Sequence, residues 1–175
     1  MSLFDTVFEL IDMRSFSNLW FWIALAAVWT TACHYTLGAP YGLVVRAGRG
    51  SAEAQSDLET LVRIRVSRQM QVAESAGPWL VGLAAAALSA LLSLGFAYGV
   101  EFAQAVFLIA APLTLVSMRS HANARLIHMA DLRGDALRAR LNRQRHLTQT
   151  IAVISIFFTT AWGMYRNLAV GPFGG

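Results

Sequence analysis

The chain has 175 residues, enough for one compact domain, and its composition is unlike that of a soluble protein. Hydrophobic residues make up 56% and charged residues only 14%, whereas soluble domains carry about a quarter charged residues. The formal net charge is +4, and the basic residues stand in two blocks between apolar runs rather than along a polar chain, which excludes a nucleic-acid binder. The composition therefore predicts a membrane protein whose first partner is the lipid bilayer.

The single cysteine, Cys33, lies inside the first apolar run, so the chain cannot form an internal disulfide or a cysteine-ligated metal or iron–sulfur site. His34 follows it, and a histidine at this depth can ligate haem. The other three histidines fall in polar loops, so packing of His34 is favoured over haem ligation. We expect no metal, no cofactor and no catalytic residue.

The first predicted element, in chain order, is an amphipathic helix over residues 2–16. Apolar side chains fill one side of it, and Asp5, Glu9 and Asp12 cluster on the other. This pattern indicates a short helix lying flat on the membrane surface. It serves either as an anchor for the first span or as a docking face for another subunit.

Four apolar runs follow, over residues 18–38, 78–98, 102–118 and 149–166. A spanning helix needs about 20 mostly apolar residues, and the two shorter runs are flanked by helix-forming sequence that continues beyond the membrane. Pro78 opens the second run, where its missing N–H is harmless. We predict an all-α fold in one domain: a four-helix transmembrane bundle with an N-terminal interfacial amphipathic helix and helical cytoplasmic extensions.

Arginine placement predicts the topology. The loops 39–77 and 119–148 hold 5 and 7 of the 14 basic residues, all of which are arginines. The positive-inside rule puts these loops in the cytoplasm and both termini outside. The absence of lysine suggests a GC-rich bacterial genome, so we expect an inner-membrane protein with periplasmic termini.

The loops themselves have helical patterns. Ser56 begins a capping box, and no glycine or proline follows before Gly77-Pro78, where the helix is expected to stop. Residues 133–135 (RGD) signal a turn, so the second loop is predicted to be a helical hairpin.

The second span is rich in small residues and ends in a GxxxG formed by Gly95 and Gly99. Small residues let helix backbones approach closely, either within the bundle or against a second copy or another membrane protein. No charged residue lies at mid-bilayer in any span, which disfavours a transporter, channel or proton pump.

Part of the chain resembles the family of membrane-associated proteins of eicosanoid and glutathione metabolism. Residues 65–74 (RVSRQMQVAE), with Pro78 behind them, are similar to that family's arginine-rich entry to span two, and residues 125–128 (RLIH) to the end of its span three. The resemblance implies a trimer that binds glutathione between protomers. The ligand-binding residues it implies are Arg65, Arg68, Gln71, Glu74, Arg125 and His128. Gln71 stands where the family favours asparagine, and span four has no clear counterpart of its catalytic arginine or tyrosine.

Segments 8–20, 100–105 and 161–169 resemble a group of small uncharacterised alphaproteobacterial membrane proteins, often described as a "component of SufBCD complex". That description implies iron–sulfur assembly, which a lone membrane cysteine does not support. The sequence favours a non-catalytic accessory or structural subunit of a larger membrane complex. The alternative is a glutathione- or lipid-binding membrane enzyme.

Overall fold

The computed structural model describes Phe16 and residues 18–169. The predicted interfacial helix, with Asp5, Glu9 and Asp12, lies outside the described residues except for Phe16. The elements in chain order are helix α1 (Leu19–His34), strands β1 (Tyr35–Thr36) and β2 (Ala39–Pro40), helices α2 (Tyr41–Gly48) and α3 (Ala52–Leu92), a π-helical turn (Ser93–Ala97), and helices α4 (Glu101–Met129) and α5 (Gly134–Ala169). The predicted helical class is thereby confirmed.

Three helical stretches are long and apolar enough to cross a membrane: Ala52–Ala97, Glu101–Met129 and Gly134–Leu168. Helix α1 is also apolar, but its 16 residues span about 24 Å, somewhat less than the hydrocarbon thickness of about 30 Å. The molecule thus has one end that carries α2 and the α4–α5 turn, called here the arginine-rich end, and a far end that carries Phe16 and the π-helical turn.

The first helix ends at His34 instead of continuing to Gly38 as predicted. A two-stranded hairpin replaces its last turn and pairs Tyr35 with Pro40. The two turn residues, Leu37 and Gly38, have φ of 50° and 76°, which fits the left-handed turn that such short hairpins require. Glycine tolerates this backbone, whereas leucine does not, and burial of the Leu37 side chain in the core offsets the strain.

Helix α3 runs for 41 residues through Pro78, so the predicted break at Gly77-Pro78 is wrong. Proline removes the N–H that would pair with the carbonyl of Glu74, but this carbonyl lies near the predicted membrane boundary, where water can satisfy it. The predicted start at Ser56 is wrong as well. Ser51 is the N-cap, since its hydroxyl accepts a hydrogen bond from the Ala54 N–H at 3.2 Å.

Two apolar cores hold the helices together. The larger lies at the arginine-rich end, where Leu58 and Val62 of α3 meet Ala124 of α4 and Leu137 of α5. The smaller lies between the apolar helices, where Leu25 and Trp29 of α1 pack on Ala152 of α5. The arginine-rich end is therefore a packed helical unit with its own core, and it fixes where the loop side chains lie.

Candidate functional site

The far end contains a polar contact network that joins three helices. Gln104 is buried, its amide N–H donates to the Gly95 carbonyl at 2.7 Å, and its amide oxygen accepts from Trp162 Nε1 at 3.0 Å. A π-helical turn frees backbone carbonyls from the regular α-helical pattern, which explains why the Gly95 carbonyl is open to a side chain. Sequence analysis did not identify Gln104, since only the fold brings its partners within reach.

Phe16 closes the same end. Its backbone N–H donates to a Glu101 carboxylate oxygen at 2.9 Å, and its carbonyl accepts from Trp22 Nε1 at 3.1 Å. Gly163 makes room for the Phe16 ring, because a Cβ at that position would stand 3.2 Å from the ring. These contacts join residues from all three segments that carry the second resemblance, and their geometry is that of structural packing.

The arginine-rich end has three clefts that separate the residues implied by the first resemblance. The first cleft, of about 430 Å³, lies between the hairpin and helices α3 and α4 and contains Arg65, Arg68 and His121. The Arg65 side chain lies against the hairpin, since a Cβ on Gly38 would stand 2.8 Å from Arg65 Nε. Among the described residues neither Arg65 nor Arg68 forms an ion pair.

The second cleft, of about 630 Å³, brings Glu74 and Arg125 together. Its other walls are mostly apolar, with Pro78 and Val81 from α3 and Met118 from α4. Its volume lies within the range of small-molecule pockets. This pair is the part of the predicted ligand set that the fold brings to one place between two helices.

The third cleft, of about 480 Å³, contains His128 and opens beside the α4–α5 turn. Gln71 is exposed and lines none of the clefts found among the described residues. Within one copy of the chain, the six residues implied by the resemblance therefore fall into three separate clefts and one surface position.

Glu59, in the wall of the third cleft, holds the start of α5. Its carboxylate accepts from Gln55 Nε2 at 2.6 Å and from the Gly134 backbone N–H at 2.9 Å. These two hydrogen bonds lower the pKa of Glu59, with Gln55 the larger cause and with Arg133 and Arg138 adding attraction. Arg138 extends the network by donating to Gln55 Oε1 at 2.6 Å.

The glycines of the predicted GxxxG have different environments. Gly95 is buried against α4, where an added Cβ would stand 2.9 Å from the Gln104 backbone nitrogen. Gly99 has a φ of 74° and open space around it, so it serves the turn between the π-helical segment and α4. The close approach that the motif predicts is thus made at Gly95 within the chain.

His34, the haem candidate, is the last residue of α1 and is exposed, with its ring packed edge-on against Tyr35 at 4.9 Å between centroids. Within the described residues there is no group of three or more histidine, cysteine or acidic side chains arranged to hold a metal ion.

Comparisons with protein-family models, with curated proteins and with solved structures each find no match. The two resemblances stay predictions of the sequence, and the function is argued from the geometry of this chain.

Proposed function

We propose that this chain is an inner-membrane protein that crosses the bilayer four times and acts as a non-catalytic accessory subunit of a larger membrane complex. Helix α1 is the first span in this proposal. It packs beside the long apolar helices through Leu25 and Trp29, and Trp20 and Trp22 near its start suit the headgroup level. Its shortness is within what flanking residues and local thinning of the bilayer accommodate.

The observation that carries the proposal is the exposure of the apolar half of α3. Only 6% of its most apolar 18-residue window is buried, against 28% for α5. The half-buried residues Ala84, Leu88 and Leu91 lie on one side of the helix and face the rest of the chain. The opposite side therefore faces away from the chain.

That opposite side is made of small residues, Gly82, Ala86 and Ser89, all of them exposed. Spaced three to four apart, they form one stripe along the helix. Small side chains let a second helix approach closely enough for backbone packing, and membrane helices associate through such faces. An exposed small-residue stripe on the least buried span supports a helix of a partner protein, or of a second copy, as its neighbour.

Substitution on the stripe tests this directly. Protein extracted mildly from native membranes is expected to run as a complex larger than the single chain on native electrophoresis. Ala86→Phe should release the free chain, because the bulky ring separates the two backbones. The matched control is Leu83→Phe, which adds an aromatic ring at an exposed position about 100° away around the helix. The proposal is wrong if the wild type runs as a single chain, or if both variants leave the complex unchanged.

The orientation needs its own test. A reporter active only in the periplasm, fused after Gly175, is expected to be active, and the same reporter inserted beside Gly134 is expected to be silent. The reverse result would place the arginine-rich end outside the cytoplasm and overturn the topology.

The alternative, a glutathione- or lipid-binding enzyme, is favoured by one observation: Glu74 and Arg125 line the same cleft of about 630 Å³. A carboxylate and a guanidinium in one mostly apolar cleft can pair with the ammonium and carboxylate groups of a small zwitterion. Calorimetric titration of the purified protein with glutathione tests this. Binding that is lost in Glu74→Gln and Arg125→Gln but kept in Glu53→Gln, an exposed control on the same helix, would favour the enzyme over the accessory subunit.

A further inference from the structure

A continuous groove runs between α4 and α5, and its two ends differ in chemistry. The part between the apolar halves of the helices has a volume of about 300 Å³. Its apolar lining residues are Phe107, Leu108, Ala111, Pro112, Leu115, Ile151, Ile154 and Phe158. Its one polar lining residue is Ser155, and the exposed side chains of Ile154 and Phe158 border it toward the lipid.

Pro112 shapes this groove. It lies inside α4 and lacks the N–H that would pair with the Leu108 carbonyl four residues earlier. Ser155 of α5 lies across the groove with its hydroxyl 3.4 Å from that carbonyl, placed to donate a hydrogen bond to it. The proline thus opens the helix where the groove lies, and its polar cost is met from the neighbouring helix rather than from water.

At its arginine-rich end the groove leads into a small basic cavity of about 170 Å³. Three arginines line it, Arg119 from α4 and Arg140 and Arg143 from α5. Arg119 stands one helical turn after Leu115, and Leu147 of the cavity stands one turn before Ile151 of the groove. The cavity and the groove therefore lie on the same faces of the same two helices.

The cavity has positive charge without a counter-charge. Its other lining residues are Ala122, Asn123, Leu126 and Leu147, so none of the described residues that line it is acidic. The amide of Asn123 is already engaged with Gln144 of α5. Arg140 Nε is buried and has no hydrogen-bond partner among the described residues. A buried guanidinium N–H without an acceptor is costly, so the site is incomplete without an anion.

We propose that this groove binds an anionic phospholipid of the bilayer leaflet at the arginine-rich end. The phosphate occupies the cavity of Arg119, Arg140 and Arg143, and one acyl chain lies in the apolar groove beside Pro112. Basic pockets between transmembrane helices bind acidic headgroups in this way, and arginine matches phosphate oxygens with paired N–H donors. The inference rests on the proposed membrane insertion but not on the accessory role.

The volumes favour this occupant over a soluble anion. The basic cavity is smaller than the usual range of about 300 to 1,000 Å³ for small-molecule pockets, so it accommodates a headgroup fragment and not a whole metabolite. The rest of a bound molecule must lie outside it. The adjoining space is almost wholly apolar, as an acyl chain requires.

The test measures which lipids stay bound to the whole protein, purified in mild detergent and exchanged against equal amounts of phosphatidylglycerol and phosphatidylcholine. Native mass spectrometry counts the retained molecules. We expect the wild type to retain phosphatidylglycerol preferentially. Arg140→Gln with Arg143→Gln should reduce that preference by about fivefold per arginine. The control, Arg46→Gln with Arg49→Gln, removes the same charge from exposed positions of the other loop and should leave the preference unchanged.

A second variant tests the acyl chain. Leu115→Trp fills the groove without changing the charge, so it should lower retention of phosphatidylglycerol while competition by inorganic phosphate stays weak. Equal retention of both lipids by the wild type would overturn the proposal, as would a control pair that lowers the preference as much as the cavity pair. Displacement of the lipid by millimolar inorganic phosphate, with no effect of Leu115→Trp, would assign the site to a soluble phosphate and also contradict it. Loss of lipid selectivity in a protein that still assembles through α3 refutes this inference alone, whereas a chain absent from the membrane fraction refutes both proposals.

Discussion

Gly95→Ala is the substitution for which the structure gives the clearest expected cost. Gly95 is buried at the contact between the π-helical turn and α4, and an alanine Cβ there would stand 2.9 Å from the backbone nitrogen of Gln104 and 3.2 Å from the carbonyl carbon of Ala103. Both are backbone atoms, so the clash cannot be relieved by turning a side chain. The two segments have to move apart.

The magnitude follows from three contributions. Overpacking of a tight contact costs about 1 to 3 kcal/mol. The same shift lengthens the 2.7 Å hydrogen bond from Gln104 to the Gly95 carbonyl, and membrane hydrogen bonds of this kind contribute about 0.6 kcal/mol on average. Alanine recovers about 0.5 to 1 kcal/mol through its better helix propensity. The net expectation is a loss of about 1 to 2 kcal/mol.

The assay is reversible unfolding of the purified protein in mixed micelles, followed by circular dichroism as the denaturing detergent fraction rises. Gly82→Ala is the control, since it lies in the same apolar helix and a Cβ there meets nothing within 4 Å. It should be neutral or stabilising by up to about 1 kcal/mol. If Gly95→Ala unfolds at the same detergent fraction as Gly82→Ala, the close approach of the π-helical turn to α4 is refuted.

Three further outcomes are expected. The pKa of Glu59 is lowered in the folded state, so its contribution to stability is present above the ordinary value of 4.5 and is lost as the pH falls through that value toward the lower folded pKa; Glu59→Gln should cost about 1 kcal/mol at pH 7 and flatten the acid limb of a stability–pH curve. Gln104→Leu should cost about 1 to 2 kcal/mol in the same micelle titration, and most of the loss should disappear when it is measured in a Trp162→Phe background, whereas additive losses would show that the two side chains do not share a bond. Pro112→Ala restores the backbone donor, so Ser155→Ala should cost less in that background than in the wild type; equal costs would contradict the role given to the serine.

The long helices and their turns were predictable because they depend on local signals. Apolar runs of nearly 20 residues and the RGD turn at 133–135 are visible in the sequence, and α4 and α5 follow them closely. The continuity of α3 through Pro78 was not predictable from the proline rule, because that rule assumes the freed carbonyl has no other partner.

The remaining differences arise from contacts distant in the chain. The hairpin at 35–40 depends on a leucine held at positive φ by its burial in a core formed from four helices, and no local pattern marks such a residue. The π-helical turn is joined to α4 and α5 through Gln104, which in sequence is one amide in an apolar run. The ligand set taken from the resemblance is contiguous in sequence, but its side chains point around the helix into separate clefts.

The arginines show best what the sequence alone does not resolve. Twelve of the 14 occupy the two loops, and the positive-inside rule accounts for all of them without distinguishing one from another. In the structure Arg138 is bound to Gln55 and Asp135, and Arg145 lies over the Tyr41 ring at 3.3 Å. Arg119, Arg140 and Arg143 instead line one small cavity with no acidic residue among its described lining. Since mutual repulsion of three guanidinium groups opposes folding unless an anion offsets it, the cavity that orients nothing for the fold is the one where a bound phosphate has the most free energy to contribute.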